Sequence, residues 1–364
     1  MKLLLLAGEE SGVLYAERIR TEVLKTHPGA EIRGYGDYGF KTADLAVMGV
    51  GQVLKKIFYF LGVKRTMERA IDEWRPDVVC TVDYPGMNLK LAAYAKAKGI
   101  RAVHVVCPQV WAWKKGRIPK IEAALDKLCC FFPFEPALFK SGFAEFVGHP
   151  LVDEMARESG PEGRKTGDGR RVLALLPGSR MGEIEKILPT ALEVAEKLQG
   201  EVSGFTVVIP AANDRAYRAI SSYVSRLKSS SLLVTHGGAR AALRNADAAI
   251  VASGTATLEA ALAGCPTVLV YKVGWLFAFL ARRFIRGIRH IGLANVIAEK
   301  AGVDCPMPEL LQEDFTAGNI LRYVAPWLKD AAANAAARQS LAETMKLLKS
   351  DGGAIKRIAD CVRV

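Results

Sequence analysis

At 364 residues the chain is too long for one hydrophobic core, because such cores stop growing near about 250 to 300 residues, so two domains are expected. Half of the residues are hydrophobic and 24% are charged, which excludes a disordered chain. A formal net charge of +12 points to an anionic partner: nucleic acid, an acidic membrane surface or a phosphorylated substrate.

The first stretch, Met1-Lys2-Leu3-Leu4-Leu5-Leu6-Ala7, imitates a signal peptide, but its apolar run is shorter than the roughly 7 residues such a signal needs, and Glu9-Glu10 follow directly. It reads as a first buried strand, Leu3 to Ala7. Gly8-Glu9-Glu10-Ser11-Gly12 is then a turn opening a helix from about Val13 to Lys25, where Ser11 and the two glycines let a ligand approach the backbone. Alternation continues with a strand at Ala30 to Gly34, a helix from about Gly51 to Trp74, a strand at Asp77 to Val82, a helix from about Asn88 to Lys98 and a strand at Arg101 to Cys107. Leu128 to Phe132 and Ala144 to Val147 close the series. Strands this apolar, separated by helices, imply a parallel sheet covered on both faces. Sites in such sheets lie at the carboxyl ends of the strands, which gives weight to the loops Asp83 to Asn88 and Pro108 to Trp113. Trp111 and Trp113 alternate, and each either stacks on a sugar or fills the core. His149, in Gly148-His149-Pro150, is at a strand end, where a hydrogen-bonded structural role competes with a ligand role.

From Glu158 to Gly169 no apolar side chain occurs, and the linker is placed at 156–170, between domains 1–155 and 171–364. The last helix has the option of packing back on the N-terminal half. The second half opens with the apolar run Val172 to Leu176, then Pro177-Gly178-Ser179-Arg180, then a helix with Glu183 and Glu185 in its first turn. Free N–H groups at such a helix start hold an anion, and Arg180 adds a bidentate grip on phosphate oxygens; an ordinary turn with a surface Arg is the alternative. Further strands are Phe205 to Pro210, Leu232 to Thr235, Ala248 to Ala252 and Pro266 to Lys272. After the third of these, Ser253-Gly254-Thr255-Ala256-Thr257-Leu258-Glu259 is a second strand-to-helix turn of small residues, with a carboxylate one turn inside, placed to accept from ribose hydroxyls. The expected fold class is α/β, two Rossmann-like parallel-sheet domains facing a cleft, with the crevice as the default ligand site.

Together, Gly8 to Gly12, Leu45-Ala46-Val47-Met48-Gly49, Val110-Trp111-Ala112-Trp113, Phe134-Glu135, Gly148-His149-Pro150, Leu175 to Arg180 and Ala252 to Ala256 resemble the lipid-A-disaccharide synthase family, in its order and over nearly the whole chain. The resemblance implies a GT-B glycosyltransferase that moves 2,3-diacylglucosamine from UDP onto lipid X, a diacylglucosamine 1-phosphate, forming the β-1',6 disaccharide and releasing UDP. It also implies a cytoplasmic enzyme attached peripherally to the inner membrane. Asp83 matches the family's catalytic aspartate, Arg180 its essential arginine, and Glu259 and Asn295 fall in its nucleotide-binding region. The remaining substrate-binding candidates are Gly8, Glu9, Ser11, Gly12, Asn88, Trp113, His149, Gly178, Ser179, Ser253, Gly254 and Thr255. Val13 stands where the family usually has Asp after Ser-Gly, and Gly86-Met87 where it has Asp-Phe.

The chemistry is arguable without the family. Transfer from a sugar nucleotide needs a base for the attacking hydroxyl, a role for Asp83, and positive charge for the departing diphosphate, a role for Arg180 and the helix behind it. A helix N-cap is the rival role for Asp83. Seven cysteines are scattered without a C-x-x-C or a Cys/His cluster at zinc spacing, and no Asp-x-Asp occurs, so reduced thiols and no metal or cofactor are expected. Two basic amphipathic stretches suit an anionic membrane: Val50, Leu54, Ile57, Phe58 and Leu61 beside Lys55, Lys56, Lys64 and Arg65, and Leu276, Leu280, Phe284 and Ile288 beside Arg282, Arg286 and Arg289. Core helices with solvated edges are the bland reading of both. No nucleic-acid signature accompanies the charge. A sugar-nucleotide epimerase and a catalytically weak or silent UDP-sugar or lipid-binding relative are the rival functions.

Overall fold

The apolar runs before residue 150 pair side by side as parallel strands. In the computed structural model, which describes residues 1–41, 50–112, 115–158, 171–227, 231–272 and 289–363, they are β1 (Lys2–Ala7), β2 (Glu31–Arg33), β3 (Val78–Val82), β4 (Arg101–Val105), β5 (Lys127–Cys130) and β6 (Ala144–Phe146). Their order is β2-β1-β3-β4-β5-β6, so the sheet changes direction of growth between β1 and β3. Both faces are covered, which is why the strands are continuously apolar. Leu3, Leu5, Val78 and Cys80 pack on one face with Ile19 and Val23 of α1 (Glu10–Thr26). Leu4, Leu6 and Val79 pack on the other with Met67 and Ile71 of α2 (Val50–Trp74) and Leu91 of α3 (Pro85–Ala97). This is the two-residue period of a pleated strand.

A second parallel sheet repeats the plan: β7 (Arg171–Leu176), β8 (Phe205–Ala211), β9 (Leu232–His236), β10 (Ala248–Ala252), β11 (Thr267–Tyr271) and β12 (Glu309–Leu311), in the order β12-β11-β10-β7-β8-β9. Its reversal point lies between β7 and β10, the two strands followed by the small-residue turns. Leu173, Leu175, Ile250 and Val268 pack there under Ile184 and Leu188 of α6 (Met181–Gln199) and Ile320 of α11 (Ala317–Lys329).

The chain divides into Met1–Asp153 together with Leu348–Val364, and Glu154–Leu347. Ile355, Ile358 and Val362 of the last helix, α13 (Ala354–Val362), therefore belong to the core of the first sheet. Asp153 accepts from the Ala354 N–H at 2.7 Å, tying that helix start to α5 (Pro150–Glu158).

Three sequence expectations shift. The first helix begins at Glu10, not Val13, which puts Ser11 and Gly12 inside its opening turn. Gly12 packs against the end of β3, where a Cβ would stand in van der Waals contact with the Val82 carbonyl at 3.4 Å. The helix expected from Asn88 begins at Pro85, whose fixed φ and missing N–H suit the first helical position. Residues 156–158 of the expected linker are helical, the end of α5, while 159–170 lie outside the described residues.

Candidate active site

In the second unit the turns after β7, β8, β9 and β10 surround a cavity of about 510 Å³, lined by Gly178, Ser179, Arg180, Ala211, Gly237, Gly238, Ser253, Gly254, Thr255 and Glu259. Each turn is built for close approach. Gly178 has φ +108°, and a Cβ there would meet Glu183 Oε2 at 2.4 Å and Glu183 Cβ at 2.8 Å, so no other residue fits. Gly254 has φ +151° and its carbonyl accepts from Thr257 Oγ1 at 2.8 Å, which sets the start of α9 (Thr255–Leu262). The N-termini of α6 and α9 thus open on a cavity walled by small residues, the arrangement that suits a diphosphate. Arg180 is 75% exposed and among the described residues pairs with Glu183 alone, at 3.4 Å, so its guanidinium can turn to an anion at little cost. Glu259 lies one turn inside α9, and its Oε1 accepts from Arg240 Nε at 2.8 Å.

In the first unit, Asp83 follows β3 at the carboxyl edge, beside a cavity of about 240 Å³ shared with Pro85, Val106, Gln109 and Arg117. Asp83 and Tyr84 both have left-handed backbones, φ +50° and +51°, a costly conformation for two successive residues with side chains. Asn88 holds them there. Its buried Nδ2 donates to the carbonyls of Asp83 (2.8 Å), Val82 (3.1 Å) and Leu6 (3.3 Å), while its Oδ1 accepts from Tyr35 Oη at 2.8 Å. Asp83 Oδ1 accepts from the Tyr84 N–H at 2.8 Å. Burial raises the Asp83 carboxyl above the ordinary carboxylate range, with the Tyr84 N–H opposing the shift. Glu9 is also raised, by burial and then by the nearby Asp83 charge, so these two acids share one field.

The family model described as lipid-A-disaccharide synthetase matches residues 3–356. The chain belongs to the lipid-A-disaccharide synthase family. It is accordingly an enzyme, a glycosyltransferase. The lipid-A-disaccharide synthase of Anaeromyxobacter dehalogenans is 35% identical over 374 residues, spanning 99% of this chain and 96% of that protein. Among solved structures, the Neisseria meningitidis UDP-GlcNAc 2-epimerase bound to UDP-GlcNAc superposes with a TM-score of 0.63 at 12% identity, covering 99% of each chain. The spinosyn rhamnosyltransferase SpnG complexed with thymidine diphosphate gives 0.56 at 15% identity, covering 100% of each. These likenesses carry the fold, two Rossmann-like units of GT-B type.

Within this family member the candidate residues divide by what their side chains do. Gly178, Ser179, Arg180, Ser253, Gly254, Thr255 and Glu259 come together at one cavity, as the two turns suggested. Asn295 does not join them. It is buried, donating from Nδ2 to Met307 O (2.7 Å) and Glu309 Oε1 (2.8 Å) and accepting from Met307 N (3.0 Å), so it braces β12 against α10 (Leu293–Ala301). Asn88 is likewise a brace for Asp83, not a free ligand. Gly8 is needed because a Cβ there would lie 2.5 Å from the Tyr84 ring. His149 is buried, and its Nδ1 accepts from the Leu151 N–H at 3.1 Å, while burial pushes the imidazole down to about 4 and keeps it neutral. That is the structural role. The N-cap role for Asp83 is also excluded, since Tyr84 occupies the cap position and Asp83 bonds to Tyr84 itself. Trp113 and the side chain of Ser11 lie outside the described residues.

Sequence reasoning missed three contributors. Gly237 and Gly238, with φ +63° and +79°, close the cavity after β9, and a glycine pair between an apolar strand and an Ala-rich helix was the available signal. Arg240, in α8 (Ala239–Asn245), gave no local signal at all. Nor did the grouping of Cys107, Cys130 and Glu135, whose buried polar atoms lie within 4.8 Å of one another at the carboxyl ends of β4 and β5. Burial pushes the Glu135 carboxyl up to about 8, and its Oε2 accepts from the Phe132 N–H at 3.1 Å.

Proposed function

We propose that this glycosyltransferase moves 2,3-diacylglucosamine from its UDP carrier to lipid X with inversion, in lipid A biosynthesis. The observation that carries the reading is the cavity of the second unit, where two helix N-termini, Arg180 and Glu259 offer what a nucleoside diphosphate needs: free N–H groups, one cation and one acceptor for ribose hydroxyls. The acceptor's 6-hydroxyl oxygen attacks the anomeric carbon as the bond to the diphosphate breaks. Asp83 takes the hydroxyl proton, a role favoured by a carboxyl already raised by burial. The charge that gathers on the leaving UDP falls to Arg180 and the α6 N-terminus. A single displacement of this kind inverts the anomeric centre and needs no covalent intermediate.

The partner surface is an anionic inner membrane, on its cytoplasmic side. The net charge of +12 supports this, as does Phe58 of α2, 82% exposed, with Leu61 exposed one turn on. The side chains of Val50, Leu54 and Ile57 and the stretch 273–288 lie outside the described residues, and Arg289 is exposed. No described helix is long and apolar enough to cross a membrane. The test of the activity is UDP release by the purified chain from UDP-diacylglucosamine with and without lipid X. Release that requires lipid X and yields a disaccharide supports the proposal; acceptor-independent release, or conversion of the donor to its 2-epimer, would replace it with hydrolysis or epimerisation.

A further inference from the structure

We propose that Arg240 is a positioning residue for the donor's ribose, fixing the Glu259 carboxylate at the cavity while Glu154 and Glu158 of α5 fix Arg240 in turn. The inference rests on the donor-site reading above and extends it to residues that the sequence motifs do not contain.

The guanidinium of Arg240 is occupied on all its edges. Nε donates to Glu259 Oε1 at 2.8 Å, Nη2 to Glu154 Oε2 at 3.1 Å, and Nη1 to Glu158 Oε1. A planar fork bonded at three points cannot swing, so the direction in which it presents Nε is set by α5. α5 is itself anchored at that end by Arg244, one turn along α8. Arg244 Nη1 donates to Glu158 O at 3.3 Å, and its Nη2 to Met155 O at 3.2 Å and Glu158 Oε2 at 3.0 Å. The order of support is therefore the end of α5, then Arg240, then Glu259, then the cavity.

The bond to Glu259 lies where screening is weak, with side-chain exposures of 29% for Arg240 and 16% for Glu259. Although burial opposes its charge, the hydrogen bonds it donates to Glu259 and Glu158 hold the Arg240 guanidinium above even its ordinary range, so it stays ionised throughout the working pH range. Among the described residues no other protein hydrogen bond reaches the Glu259 carboxylate, which leaves Oε2 to the cavity that Glu259 lines. Without Arg240, the carboxylates of Glu154, Glu158 and Glu259 would lose the guanidinium they share. Like charges so placed repel, and Glu259, on the shortest tether, would turn from the ribose position.

Calorimetric titration of the full chain with UDP and with 2',3'-dideoxy-UDP separates positioning from general damage. Arg240→Met should weaken UDP about tenfold, the scale of one hydrogen bond to a charged group, and leave dideoxy-UDP within about twofold. Glu259→Gln should show the same contrast, and adding Arg240→Met to it should change nothing further. Glu154→Gln with Glu158→Gln, which leaves Arg240 and Glu259 themselves unchanged and weakens only the two bonds that orient Arg240, should cost UDP about threefold. If Arg240→Met does not fold, Arg240→Lys, which keeps the charge but loses the three-way fork, is read the same way. Loss of affinity for both nucleotides alike, or for neither, overturns the proposal while the donor site stands. A folded wild type that binds neither nucleotide overturns the donor-site reading, and this inference with it.

Discussion

At the scale of single residues, the first unit contains one carboxylate whose geometry is maintained at a cost. Asp83 is held with a left-handed backbone by an asparagine that makes four hydrogen bonds, and burial raises its carboxyl towards the working range of a base. Asp83→Asn keeps the shape and the bond from Tyr84 N–H but removes the base. Turnover should fall by roughly 10²-fold or more, with UDP affinity, which the proposal assigns to the other unit, within a few-fold; full turnover at saturating donor would strike Asp83 from the mechanism. Arg180→Ala is expected to lower turnover by a similar or larger factor with the melting temperature almost unchanged, because a side chain 75% exposed contributes little to stability. Glu135 supplies a prediction about pH. Its carboxyl is raised from 4.5 to about 8 by burial, so the folded state binds a proton that the unfolded state gives up. That contribution to stability is complete below about pH 4.5 and is lost as pH rises through about 8. Melting temperatures of the wild type should therefore decline between pH 6 and 8.5 more steeply than those of Glu135→Gln, and parallel curves would show that Glu135 does not titrate in this window.

At the scale of elements, the cavity of the second unit is made by strand-to-helix turns in which glycines take positive φ. Gly178 and Gly182 lie four residues apart and differ in this respect. A Cβ at Gly178 meets Glu183 at 2.4 Å on a backbone at φ +108°, whereas Gly182, inside α6, has open space around it. Gly178→Ala should cost on the order of 1–3 kcal/mol of stability and most of the UDP affinity. Gly182→Ala should be neutral or slightly stabilising, since alanine is the better helix former. Equal behaviour of the two in thermal melts and UDP titration would mean that the turn is not the constraint. The same element-level logic explains β3 and α3. Pro85 starts the helix early, and the chain must pass through two left-handed residues to reach it, which leaves Asp83 at the sheet edge.

For the whole molecule, the excess of positive charge and the exposed Phe58 and Leu61 of α2 bear on the membrane contact proposed above. Phe58→Ser with Leu61→Ser should lower retention on anionic vesicles, and Arg282, Arg286 and Arg289 changed together to Ser should lower it further, by about 1 kcal/mol per charge at low salt. Unchanged co-sedimentation of both variants would remove these segments as membrane contacts. The activity with soluble, short-chain substrates should survive the Phe58 and Leu61 change, because neither residue lines the cavity of the second unit.

The alternation of buried strands with helices, the Pro177 to Arg180 turn and the Ser253 to Thr255 turn were readable from the chain itself. Each is a local matter: continuous apolar runs demand coverage on both faces, and a glycine between strand and helix announces a backbone that other residues refuse. The family's motifs added Asp83 to these, again as a short contiguous signature. What only the tertiary structure decided is the use of polar side chains whose partners are distant in sequence. Asn88 and Asn295 have the chemistry of ligands, but their amides are taken by Leu6 and Val82 in one case and by Met307 and Glu309 in the other. His149 is neutral because Phe131 and Phe132 pack on its ring and exclude water. Arg240 reaches Glu154 across 86 positions of sequence, and the last helix returns more than 200 positions to bond Asp153. Local sequence fixes which backbone shapes are possible; long-range packing fixes which buried donors find acceptors, and that second choice separates the residues left for substrate from those that hold the fold.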